Sequence, residues 1–136
     1  MSNAKDTALL EQSLLALGDA YDGIAAELFQ NFIAAHPQYT KAFANPEAAQ
    51  ERMTRETLGA MLGYASGEWW VASTVTNFVD LHRDYDRFKP DDYRDWFTLV
   101  IETMAIRAGD AWPADANLAW QRQADGLMQM VTAELS

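Results

Sequence analysis

Apolar residues recur along this chain at helical spacing, and nowhere does a stretch alternate in the strict two-residue rhythm of a half-buried strand. From Thr7 to about Leu17, Leu10, Leu14 and Leu17 share one face, and Gly18 supplies a stop. The next stripe holds Tyr21, Ile24, Ala25, Leu28, Phe29, Phe32 and Ile33, with Asp19 or Asp22 as the expected cap. Pro37 ends it, because its ring cannot follow a helical residue and it pushes His36 toward extended geometry. A short turn from Gln38 to Phe43 leads to Asn45 and Pro46, a cap followed by proline at the first helical position.

The helix opened there is predicted to reach Ser66 and Gly67 and to bury Met53, Leu58, Met61, Leu62 and Ala65. A fourth, from Trp69 to about Arg83, carries Val71, Val75, Phe78 and Val79 in a row that ends at His82. Pro90 to Ala108 repeats the amphipathic pattern with Tyr93, Trp96, Phe97, Val100, Ile101, Met104 and Ala105, and Gly109 stops it. Pro113 opens a last helix to about Leu135, whose inner row is Trp120, Ala124, Leu127, Met128 and Val131. Six or seven helices with short connections predict an all-α domain. Residues 5–136 read as one domain, and residues 1–4 as an expression-tag remnant outside it.

Composition narrows the partners. Hydrophobic residues make up 49% of the chain, so a packed core is expected, yet no apolar run is long enough to cross a bilayer. The formal net charge of -10 argues against nucleic acid and anionic membrane surfaces, since both need positive charge on the protein. The absence of cysteine removes disulfides, thiolate metal sites and thiol nucleophiles together, and fits a cytoplasmic protein.

Two histidines remain as candidate chemistry. His82 closes an apolar row, where an imidazole is either a ligand to a buried metal or cofactor or a core group bonded to a carbonyl. His36 precedes a proline at a helix end and is expected to be solvated. A di-iron bundle needs glutamate three residues before histidine, and those positions are Ile33 and Val79. Neither histidine has an acidic and a nucleophilic partner close in sequence, as a hydrolase triad would require.

Several local patterns occur together in a particular order. Leu28 to Pro37 followed by Phe43, then Leu81-His82-Arg83-Asp84-Tyr85, then Lys89-Pro90-Asp91-Asp92-Tyr93, then Ala119-Trp120 span most of the chain. In this order the sequence resembles a single-domain bacterial globin, similar to the globin module of flavohaemoglobins. The resemblance implies a globin-like fold of six to eight helices around a haem pocket, with haem b as cofactor and His82 as the proximal iron ligand. It places Phe43 flat against the haem and assigns the apolar lining to Phe29, Met53, Leu58, Met61, Phe78, Phe88, Tyr93 and Phe97. Phe78, one turn before His82, offers a carbonyl to orient the imidazole, and Arg83, Arg87 or Lys89 offers charge to the propionates.

The implied function is reversible binding of a diatomic gas, oxygen or nitric oxide, for binding, sensing or detoxification. The distal side departs from the pattern. Its register falls on Met53 or Thr54, then on Thr57 or Leu58, with no distal His or Gln, and Phe29 stands where flavohaemoglobins carry a tyrosine. Without a strong donor, tight oxygen storage and nitric oxide dioxygenation both lose support, and the threonine hydroxyls are the replacement donors to consider. The elbow from His82 to Pro90 is one residue longer than in flavohaemoglobins, and Ala124 replaces a supporting tyrosine. Redox cycling is expected to need an external reductase. Trp69, Trp70 and Trp112 suggest either a homodimer surface or burial under loops. The alternative reading is a globin-like module without haem that serves sensing or protein interaction.

Overall fold

A computed structural model describes residues 3–42, 46–83 and 88–135, and of residues 40–42, 46, 47 and 81–83 the backbone only. Phe43, Arg87 and the side chains of His82 and Arg83 therefore lie outside the described residues. Each helix begins and ends where local chemistry allows. Helix α1, Ala4–Leu17, starts at Asn3, whose Oδ1 accepts the Asp6 N–H at 3.1 Å and satisfies one of the free donors of the first turn. Residues 3 and 4, set outside the domain on sequence grounds, thus take part in the fold.

Helix α2, Ile24–Ala35, is capped by neither Asp19 nor Asp22. Its N-cap is Gly23 at φ 78°, a left-handed conformation that a side chain would strain. Pro37 does redirect the chain, into a 3-10 turn over Pro37–Ala42. Helix α3, Pro46–Ser66, follows, and α4, Val71–Arg83, begins two residues later than the pattern predicts. The cause is the closure of α3, in which the Glu68 N–H donates to Gly63 O at 2.9 Å and the Gly67 N–H to Tyr64 O at 3.2 Å. That arrangement holds Trp69 and Trp70 in the connecting turn. Helix α5 is Pro90–Ala108 and α6 is Ala114–Leu135.

All regular structure among the described residues is helical. Helix α6 packs against α1, α3, α4 and α5, while α2 packs against α3 and α5. Leu10, Leu28, Met61, Val79, Val100, Met104 and Val131 are fully enclosed where these helices meet. Full burial of one such side chain contributes roughly 1.5–3 kcal/mol, so this set outweighs any surface ion pair. No helix among the described residues is long and apolar enough to cross a membrane.

Two buried tryptophans are wired in the same way. The Trp120 indole N–H donates to Ser13 Oγ at 2.8 Å, and Ser13 donates to Leu10 O at 2.8 Å, joining α6 to α1. The Trp96 N–H donates to Thr57 Oγ1 at 2.8 Å, and Thr57 donates to Met53 O at 2.7 Å, joining α5 to α3. Each relay lets a large apolar ring be buried without orphaning its N–H. Trp112 stacks on Trp120 with centroids 6.2 Å apart and donates to Asn117, so it lies under the α5–α6 connection. Trp70 is half-buried, and only Trp69 of the three candidates is broadly exposed, at 84%.

Candidate functional site

The region of interest lies where α3, α4 and α5 converge on Phe78. On α4, Val71, Val75, Phe78 and Val79 are all buried, as their spacing predicts. The helical backbone continues past them through position 82, four residues beyond Phe78 and three beyond Val79. From α3 come Met53 and Thr57, and from α5 come Tyr93, Trp96 and Phe97, all buried.

Two small cavities touch Phe78. One, of about 20 Å³, is lined by Thr57, Ala60, Val75, Phe78, Phe97 and Leu127 among others. The other, of about 10 Å³, is lined by Phe32, Met53, Phe78, Phe88, Tyr93 and Trp96, with Asp92 at its edge. Each holds at most about one water-sized body, and Phe78 is the residue common to both linings. Tyr93 meets that ring edge-on at 5.5 Å. Phe88 is half-buried and meets Tyr39 at 4.2 Å, Tyr93 at 6.1 Å and Phe32 at 6.5 Å, each nearly perpendicular.

Of the lining residues expected from sequence, the structure brings Met53, Thr57, Phe78, Phe88, Tyr93 and Phe97 to these cavities. Phe29, Thr54, Leu58 and Met61 are buried in the core but border neither one. Thr54 shares a row of α3 with Leu58, Met61 and Ala65, one step round the helix from the row of Met53, Thr57 and Ala60. This favours Met53 over Thr54 as the residue beside Phe78.

The two threonines differ in chemistry as well. The Thr57 hydroxyl is committed to Met53 O and the Trp96 N–H, so its proton points back along its own helix. The Thr54 hydroxyl is 1% exposed by residue and has no partner among the described residues. The cavity walls are therefore mainly hydrocarbon and thioether, and the polar groups of Thr57, Thr74 and Asp92 among them are bonded to Met53 O, Trp70 O and the Tyr39 hydroxyl. Helix α4 carries a histidine at position 82, one turn beyond Phe78.

Sequence reasoning missed a polar cluster beside this wall, and it misplaced His36. Far from being solvated, the His36 ring is 13% exposed and lies between two carboxylates of α5. Its Nε2 is 2.9 Å from Asp95 Oδ2 and its Nδ1 is 3.4 Å from Asp92 Oδ1. Asp92 Oδ2 accepts the Tyr39 hydroxyl at 2.6 Å and the Lys89 backbone N–H at 2.7 Å. The one part legible in sequence was Asp92 at the third position of a helix opened by Pro90, where a carboxylate meets free N–H groups. Lys89, a candidate for propionate pairing, has an exposed side chain. Ala124 lies 9% exposed on the outer groove between α5 and α6, away from Phe78. No group of three or more acidic or histidine side chains among the described residues is arranged to hold a metal ion.

Comparison with protein-family models, curated proteins and solved structures finds no match for this chain.

Proposed function

We propose that this protein is a haem-binding globin whose iron is held by His82 and takes a diatomic gas, oxygen or nitric oxide. The observation that carries the reading is that Phe78, one helical turn before position 82, lines two apolar cavities, one with Met53, Phe88 and Tyr93 and the other with Phe97, five of the residues the globin resemblance selects. These positions span 45 residues of sequence, and no local pattern requires them to meet, so their meeting supports the resemblance independently of its motifs.

Haem, if bound, would supply an iron centre able to take a gas ligand. The chain's own residues would do the following. His82 donates the nitrogen. The rings of Phe78, Tyr93 and Phe97 would exclude water from the group. Met53 presents a polarizable thioether in place of a hydrogen-bond donor. Because Thr57 holds its proton on Met53 O, the pocket gives little polar stabilisation to a charge-separated ligand. Gas binding, sensing or detoxification with an external reductase fits this wall better than tight oxygen storage.

The test is the absorbance of protein purified with adequate haem supply, ferrous, with and without carbon monoxide. A Soret band that shifts with carbon monoxide is expected, and His82→Ala is expected to lose it while far-ultraviolet helicity stays. Protein that stays colourless under those conditions would falsify the reading. A second reading, a globin-like interaction or sensory module without haem, is favoured by the close packing of Phe78 against Tyr93 and the small size of both cavities. It expects no Soret band, and a His82→Ala variant as stable as the parent whether or not haem is supplied.

A further inference from the structure

We propose that His36 is a pH-operated latch which, as an imidazolium, ties the end of α2 to the first turn of α5 and holds the aromatic cover of the Phe78 cavity in place. The geometry around the ring carries this. A neutral imidazole has one N–H and one lone pair, and only the protonated ring donates at both nitrogens. Both His36 nitrogens face carboxylate oxygens, at 2.9 Å and 3.4 Å. Either neutral tautomer would turn a lone pair toward a carboxylate. Only the protonated ring can satisfy both contacts at once.

The latch connects to the cavity through three contacts. Asp92, which is buried, points Oδ1 at His36 and uses Oδ2 to accept the Tyr39 hydroxyl and the Lys89 N–H. Tyr39 is 3% exposed and meets Phe88 at 4.2 Å. Phe88 in turn lines the cavity with Met53 and Phe78. The His36 ring also lies 4.8 Å from Phe32, another lining residue, and its backbone N–H caps α2 on Phe32 O at 2.9 Å. Movement of His36 thus reaches the cavity from two sides.

Among the described residues, the charged and titratable groups facing the ring are Asp92 and Asp95 from α5 and the Tyr39 hydroxyl from the 3-10 turn. Helix α2 contributes Phe32 and no charge. Asp91 and Arg94 pair with each other at 3.2 Å on the exposed side of α5. The sign follows directly. A bond that requires the protonated ring is complete on the acid side of the imidazole titration and is lost as pH rises through it.

Hydrogen exchange read by NMR tests the proposal without any bound group. The reporters are the amides of Asp92 and Tyr93, both bonded to Lys89 O in the first turn of α5, with Leu127 on α6 as internal reference. From about pH 5.5 to about pH 8.5, a span that brackets the ordinary imidazole titration, protection at these amides relative to Leu127 is expected to fall by about fivefold, the size of one partly exposed charge-assisted bond. His36→Gln, which keeps a donor but cannot titrate, should abolish the change, and Asp95→Asn should shrink it. A flat profile in the parent, or an unchanged fall in His36→Gln, overturns the latch. Neither result bears on haem, whose absence would be read from the Soret band alone.

Discussion

Thr54 and Thr57 show what one residue's surroundings decide. Both are buried on α3 and three positions apart, yet only Thr57 has partners, Met53 O and the Trp96 indole. Replacing Thr57 with valine keeps the shape and strands a buried N–H, which costs about 1–3 kcal/mol. The same replacement at Thr54 removes a hydroxyl that has no partner among the described residues. It should be neutral or stabilise by up to about 1 kcal/mol, since the methyl group regains what the hydroxyl loses in desolvation. Urea unfolding midpoints at constant slope would measure both. Equal destabilisation by the two variants would mean that the Trp96 relay contributes nothing special. Sequence could not have separated these residues, because the indole that distinguishes them comes from 39 positions away. The same blindness explains His36, whose carboxylate Asp95 lies 59 positions downstream.

At the scale of the element, much more was legible. Gly18, Pro37, Pro46, Gly67, Pro90 and Gly109 mark helix boundaries that periodicity alone would blur. The misreadings were at caps. Aspartate was preferred before α2 for its side-chain acceptor, but the left-handed backbone at Gly23 decided the matter. Helix α3 offers a paired test of helix packing. A Cβ at Gly59 would meet nothing within 4 Å, so Gly59→Ala should gain up to about 1 kcal/mol from helix propensity. A Cβ at Gly63 would come within 2.6 Å of the Trp70 ring and 2.8 Å of a Val71 methyl. Val71 is buried and cannot move aside, so Gly63→Ala should destabilise by about 1–3 kcal/mol despite the same propensity gain. Thermal unfolding of the two variants should therefore move in opposite directions.

The tie between α1 and α6 makes a prediction about acid. Arg122 grips the buried Asp6 carboxylate with Nε at 3.0 Å and Nη2 at 2.6 Å, and Gln123 adds a bond at 2.8 Å. The Arg122 hydrogen bond outweighs burial and, with Gln123, holds the carboxyl below its ordinary range. A depressed carboxyl contributes its full stabilisation above the unfolded titration and loses it as pH falls from there through the lower folded-state titration. Acid unfolding of the parent should thus be steeper than that of Asp6→Asn, which starts less stable near neutral pH. Parallel profiles for the two would show that Asp6 contributes nothing to acid sensitivity.

For the whole molecule, α6 is the hub against which four other helices are laid. The all-α class followed from periodicity because each stripe needed a partner surface. The site was less legible. Of the residues picked by resemblance, Met53, Phe78 and Tyr93 line one cavity and Phe78 and Phe97 the other, while Phe29, Thr54 and Leu58 are buried without bordering either. If haem binds the folded state alone, mass action stabilises the whole chain by about 2.7 kcal/mol at a free haem concentration one hundredfold above Kd. A thermal midpoint that rises with added haem in the parent and stays fixed in His82→Ala is the expected outcome. An equal rise in both would move the haem away from His82.

The Asp6–Arg122 grip has one more consequence, in the order of assembly. Its partners are 116 residues apart, so α1 is made well before the residue that anchors it. During synthesis at roughly 5–20 residues per second, α1 would wait several seconds with its apolar face, Leu10 and Leu17 included, unsheltered by α6. A nascent chain arrested before Arg122 emerges should therefore present that face to a chaperone or protease, and one arrested after α6 emerges should not.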